Sequence, residues 1–204
     1  MRTLAMLLLL ATATLAGDLV DRLYLVRVMT ESVGRMGPER RVLAAAAVPV
    51  GPDGLLMATG FALDAPEGDH AALQVSAVAP DGTEFSARLL GGDDDLRCTL
   101  FRLDLAGAKA PEPLALDGAA LPIGTRVTLM TRYGAEFGHR VRSIDSWIEA
   151  SSSGPDAVGA LKSGSAEWRG MVAASTDGQR LLGFVDTRSA VGDQSSGALI
   201  GVGG

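Results

Sequence analysis

An all-β chain is what the sequence predicts, a sandwich or barrel assembled from many short strands. Two observations predict it. Apart from a single turn at Asp18–Arg22, no segment after the first residues carries helical periodicity. Short apolar runs alternate instead with turn signals: GPDG at 51–54, PDG at 80–82, GGDDD at 91–95, TDG at 176–178 and GDQSSG at 192–197. Gly adopts left-handed backbone freely and Asp caps turns through its own carboxylate, so such clusters roughly every 8–14 residues punctuate strands rather than helices.

The elements follow in order. Strands are expected at 22–29 (RLYLVRVM), 42–50 (VLAAAAVPV), 54–61 (GLLMATGF), 71–79 (AALQVSAVA), 84–91 (EFSARLLG) and 97–104 (RCTLFRLD). A Pro-containing stretch, AKAPEPLALDGAALPIG, follows, and residues 105–124 read as a connector. Beyond it come 125–132 (TRVTLMTR), 138–148 (GHRVRSIDSWI), 157–161 (AVGAL), 169–175 (RGMVAAS), 180–187 (RLLGFVDT) and 196–202 (SGALIGV). The halves have similar size and no recognisable internal repeat, which sets aside a propeller or solenoid.

Composition narrows the function. The 204 residues are 47% hydrophobic, enough to bury a real core in one large or two small β units. The formal net charge is −6, and the Arg40–Arg41 pair is too short a basic run to make a phosphate-binding face, so nucleic acid is not an expected partner. The start, MRTLAMLLLLATATLAGD, has the pattern of a secretory signal peptide. Arg2 supplies the positive end, Leu4 to Leu10 the apolar core, and Thr14 and Ala16 the small residues before a cut at Gly17. That apolar core is shorter than the roughly 20 residues a spanning helix needs, so export to the periplasm or medium is expected, with no stable membrane insertion after cleavage. Cys98 is the sole cysteine, which forbids an internal disulfide, and its strand-like neighbours suggest a buried, inert thiol.

Within this pattern, DGTEFSARLLGGDDDLRCTLFRLD resembles a strand pair of the HtrA/Deg-type trypsin-like serine proteases. VPVGPDGLLMATGFAL is similar to their strand pair leading to the catalytic histidine, and LPIGTRVTLMTRYGAEFGHRVRSIDS to their strand, Phe-Gly loop and following strand. AVGALKSGSAEWRGMVAASTDGQRLLGFVDT resembles the segment that carries the nucleophile and the strands after it. The matches keep family order across about residues 22–202. The resemblance implies two perpendicular six-stranded Greek-key β-barrels with a cleft between them: a signal peptide at 1–16, an N-terminal barrel at 17–118 and a C-terminal barrel at 119–204. It also implies three catalytic positions. The histidine position falls on Phe61, the aspartate position on Arg97, and the serine position on Trp168 or, one residue on, Arg169.

None of these side chains can do the work of the residue it replaces. Serine hydrolysis needs a hydroxyl, an imidazole that takes its proton and a carboxylate that orients the imidazole. Phenylalanine has no lone pair, arginine stays charged and cannot orient an imidazole, and tryptophan offers no nucleophile. The turn that would supply oxyanion-hole donors reads Ala166-Glu167-Trp168. His70 and His139 read as surface imidazoles, and Ser163 and Ser165 as ordinary loop residues. Asp93–Asp95 reads as a solvated turn rather than a metal site. With no His/Cys cluster, phosphate loop, dinucleotide fingerprint or haem motif, no metal or cofactor is expected.

The leading expectation is an exported, catalytically inactive protein of the trypsin-like fold that binds protein or peptide, with Phe61, Arg97, Trp168 and Arg169 at the binding cleft. The alternatives are an active hydrolase using Ser163 or Ser165 with His139, and a purely structural envelope module. Trp168 reads either as a plug of the cleft or as an aromatic anchor for a bound segment; Trp147 reads as core or rim packing of a strand. The export reading makes one direct prediction. The intact mass of protein recovered from the envelope or medium should correspond to a chain beginning at Gly17; a mature chain beginning at Met1 would refute it.

Overall fold

Alternation builds the molecule. In the strand Cys98–Leu103, Thr99, Phe101 and Leu103 are buried while Cys98, Leu100 and Arg102 are partly exposed. This is the period-two pattern of a sheet with one face on a core. Twelve strands are present in the computed structural model, which describes residues 19–34, 37–59, 71–93, 98–114, 122–151, 158–161, 170–189 and 195–201. In chain order they are β1 (Tyr24–Gly34), β2 (Gly37–Gly51), β3 (Leu55–Thr59), β4 (Ala71–Val78), β5 (Glu84–Asp93) and β6 (Cys98–Leu103), then β7 (Arg126–Arg132), β8 (Val141–Ser151), β9 (Val158–Leu161), β10 (Val172–Ala174), β11 (Leu181–Ser189) and β12 (Ser195–Gly201). Short 3₁₀ turns sit at Leu19–Arg22 and Ala135–Phe137.

The strands close into two barrels. The first runs β1-β2-β3-β6-β5-β4 and closes through antiparallel pairing of β1 with β4; the second runs β7-β8-β9-β12-β11-β10 and closes through β7 with β10. Both have the same Greek-key order, so the two halves repeat in topology although they do not in sequence. The six-plus-six strand count and the barrel architecture are as expected.

Three elements differ from expectation. β1 and β2 run longer, paired in continuous register as far as Gly34↔Gly37, with Glu31 opposite Arg40 and their charged groups 3.5 Å apart. Backbone pairing and cross-strand contacts carry this hairpin beyond the apolar runs that mark its base. GGDDD is not simply a turn, because β5 continues through Gly91, Gly92 and Asp93. Gly91 takes φ +155° at a register shift between Leu89 and Gly91, so glycine there makes a bulge rather than ending the strand. His139 does not begin a strand: it sits in the turn ahead of β8 with φ +54°.

Each barrel has its own core, and a third cluster joins them. Val26, Val28, Ala47, Leu56, Ala77 and Phe101 fill the first barrel; Val127, Leu129, Ile148, Met171 and Val185 are among those that fill the second. Leu19, Leu23, Ala46, Val48, Met130, Val172, Leu181 and Phe184 form the seam. On β2, Ala45 and Ala47 point into the first barrel while Ala46 and Val48 point into the seam. That explains the apolar stretch from Ala45 to Pro49: a strand covered on both faces has no polar positions to alternate, whereas Val42, Leu43 and Ala44 ahead of it are exposed.

Arg132, only 6% exposed, is the polar centre of the seam. Its Nε donates to the Leu23 carbonyl at 2.6 Å and its Nη2 to the Val20 carbonyl at 2.9 Å. Nη1 donates to the His139 carbonyl at 2.7 Å and reaches the Pro80 carbonyl, in the β4–β5 turn, at 3.5 Å. Burial pushes the guanidinium below its ordinary pKa, with Asp21 acting in the opposite direction. Removing it leaves buried carbonyls without donors, so Arg132→Ala should lower unfolding stability by about 3 kcal/mol or more, and Arg132→Lys should recover only part of it. Chemical denaturation measures this; an Arg132→Ala midpoint matching the wild type would show that the contacts contribute nothing net.

Candidate functional site

The residues flanking the three positions of interest lie at the barrel junction. β3 ends at Thr59, two residues before Phe61. β6 begins at Cys98, immediately after Arg97, and Thr59 and Cys98 are register partners at the ends of adjacent strands. Gly170 follows Trp168 and Arg169 and leads into β10. Phe61, Arg97, Trp168 and Arg169 themselves lie outside the described residues, as do His70, Ser163 and Ser165.

The junction is tightly built. Gly170 N–H donates to the Val185 carbonyl at 3.0 Å, and the Gly170 carbonyl accepts from Ala46 N–H at 3.1 Å, linking β11 of the second barrel to β2 of the first. Thr59, fully buried, turns its hydroxyl to the same Val185 carbonyl at 3.4 Å. Only glycine suits position 170: φ is +78°, and a Cβ there would lie 3.1 Å from the Ala45 Cβ and 3.4 Å from the Thr59 carbonyl. The ends of β3 and β6 and the approach to β10 therefore meet at one place, where the second barrel abuts the first.

The chemistry among the described residues here is modest. Thr59 presents a hydroxyl already committed to a carbonyl. Cys98 is half-buried rather than buried, because it takes an outward position in the alternation of β6 while Thr99 points in. His139 is a half-buried imidazole, not a surface one. Its Nδ1 is shut from solvent without a partner among the described residues, and its ring packs toward Gly82 of the β4–β5 turn. Beside it the Phe-Gly loop is pinned to the first barrel by Arg27, whose guanidinium approaches the Glu136 carboxylate to 4.0 Å, and braced by a Tyr133–Phe137 ring contact at 5.2 Å. Tyr24, at the start of β1, has its phenol pushed above the ordinary range, first by burial and then by the Asp81 carboxylate.

Sequence reading missed Arg132, Thr59 and Gly170. Arg132 ends the run RVTLMTR, where a terminal arginine looks solvated; only the packing of a second barrel over that face shows that it is buried. The positive φ of Gly170 has a weak signal in the sequence, a glycine between a loop and an apolar strand. Trp147, expected in the core or at the rim, is 40% exposed on the outer wall of the second barrel.

This architecture defines a class: the chain has the trypsin-like serine-protease fold. Among solved structures it is similar to the HtrA-type protease AlgW with decapeptide, at 16% identity and a TM-score of 0.62, over 90% of this chain and 61% of that one. It is also similar to the active form of the Rv3671c protease from M. tuberculosis, at 17% identity and a TM-score of 0.63, over 93% of this chain and 82% of that one. This chain thus spans less than two thirds of the AlgW chain. No protein-family model matches the sequence, and no curated protein does.

The junction geometry predicts the cost of a single methyl group. Gly170→Ala should lower stability by about 1–3 kcal/mol, through left-handed backbone strain and the contact with Ala45. Thermal denaturation reads the loss; an unchanged melting temperature would mean the junction opens freely enough to accept a side chain.

Proposed function

We propose that this chain is an exported protein of the trypsin-like fold that no longer hydrolyses peptide bonds and acts by binding a protein or peptide. The reading rests on one observation in the sequence. Where the resemblance asks for His, Asp and Ser, the chain has Phe61, Arg97 and Trp168, with Arg169 beside the last. The meeting of Thr59, Cys98 and Gly170 at one junction supports treating those segments as parts of a single cleft. AlgW was solved with a decapeptide, and an inter-barrel cleft flanked by strand edges suits an extended chain. In this reading Trp168 supplies an aromatic anchor, Arg97 and Arg169 favour acidic groups, and Phe61 adds apolar surface.

Two measurements test the proposal. The purified mature protein should neither cleave an unfolded casein substrate nor label with a fluorophosphonate; labelling abolished by Ser163→Ala or Ser165→Ala would establish the hydrolase alternative instead. For a peptide captured from a library, Trp168→Ala should weaken affinity by roughly thirtyfold, the usual cost of about 2 kcal/mol for losing a buried aromatic anchor. Unaltered affinity with a lowered melting temperature would make Trp168 a plug and remove the cleft from the binding surface.

A further inference from the structure

Away from the junction, the outer wall of the second barrel carries a pocket of about 480 Å³, within the range that holds small ligands. Two cross-strand pairs of β7 and β8 shape it. Arg126 faces Trp147, and on the next outward rung Thr128 faces Asp145. Between them the inward-pointing pair Val127 and Ser146 forms a buried floor, and Thr176 closes one side from the β10–β11 turn.

The chemistry of the walls is specific. The Trp147 indole, 40% exposed, offers an apolar face. Arg126 makes no hydrogen bond or ion pair among the described residues. Asp145 is held by the Thr128 hydroxyl at 3.3 Å, which orients one carboxylate oxygen and leaves the other open. Arg126 and Asp145 are diagonal neighbours across the strand pair, a spacing of roughly 7–8 Å between backbones, and they do not close on each other as an ion pair. The pocket therefore presents one cation, one anion and an indole around a single small volume.

We propose that this pocket binds a free aromatic α-amino acid as its zwitterion. An α-amino acid sets its nitrogen about 2.5 Å from its carboxyl carbon. Charge-assisted hydrogen bonds of about 2.8 Å at each end bridge the remaining span. The ligand carboxylate meets Arg126, the ammonium meets the open oxygen of Asp145, and the ring lies against Trp147 in an offset or edge-to-face contact. A peptide interior lacks both charges and a fatty acid lacks one, so neither satisfies both poles. The site does not depend on the junction or on the residues of the proposed cleft.

The test uses the full mature chain labelled with ¹⁵N, following the indole N–H signal of Trp147, assigned by its loss in Trp147→Phe. L-phenylalanine should shift that signal with a Kd on the order of 1 mM, the weak affinity expected of a small, solvent-open site. Phenylalaninamide, without the carboxylate, and N-acetylphenylalanine, without the ammonium, should each bind at least about tenfold more weakly, the loss expected for one charge-assisted bond. Arg126→Gln should bring phenylalanine down to the affinity of its amide, and Asp145→Asn should bring it down to that of the acetylated form. Both side chains are exposed, so both variants should fold, which the unchanged dispersion of the remaining signals checks. Equal affinity of the wild type for all three compounds would reduce the pocket to a nonselective apolar surface and overturn the proposal. So would the absence of any shift up to the solubility limit of phenylalanine.

Discussion

One buried guanidinium sets the relation between the two barrels. Arg132 leaves the end of β7 on the face that the second barrel turns toward the first, and it gathers carbonyls from the N-terminal 3₁₀ turn, the β4–β5 turn and the Phe-Gly loop. Each barrel could close by itself, because its pairing is internal. What the pairing does not fix is where the second barrel sits on the first. The apolar seam supplies attraction without direction, and Arg132 supplies direction. The bonds at Gly170 and Thr59 add direct links between the barrels that demand close approach.

The seam is made mostly of small and branched aliphatic residues, with one alanine on each of β2 and β10, Ala46 and Ala174. Small side chains let two sheets approach closely enough for direct backbone contact, as when Ala46 N–H reaches the Gly170 carbonyl at 3.1 Å. A bulkier β2 would hold the barrels apart and leave those backbone groups unpaired. Alanine at 46 is therefore a condition of the junction, much as glycine is at 170.

The strands were legible because their physics is local. Apolar runs such as RVTLMTR and CTLFRL announce their buried faces by alternation, and PDG and TDG announce turns through the conformations those residues adopt. GGDDD misled because a glycine signals backbone freedom, which a bulge uses as readily as a turn. Cys98 and Trp147 misled because a residue type carries an average tendency, whereas the parity of its position in the strand decides which way it faces. Arg132 could not be read at all and Gly170 only faintly, because their roles arise from a partner barrel distant in sequence. The candidate site was approached through family resemblance, not periodicity. Alternation says nothing about the chemistry expected of Phe61, Arg97, Trp168 and Arg169, which lie outside the described residues; the structure describes only the frame on either side of them.

The acceptors chosen by Arg132 have a consequence for how the molecule meets salt. Its carbonyl contacts are buried or partly buried, where dissolved ions screen them little. The peripheral links between segments are different: Arg22 with Glu112 ties the N-terminal turn to the connector, and Arg27 with Glu136 ties the Phe-Gly loop to β1, and both glutamates are exposed. Rising salt therefore weakens the rim while the centre of the seam still holds. The molecule acquires an order of loosening, outer struts first and hub last, that follows from which contacts the solvent reaches.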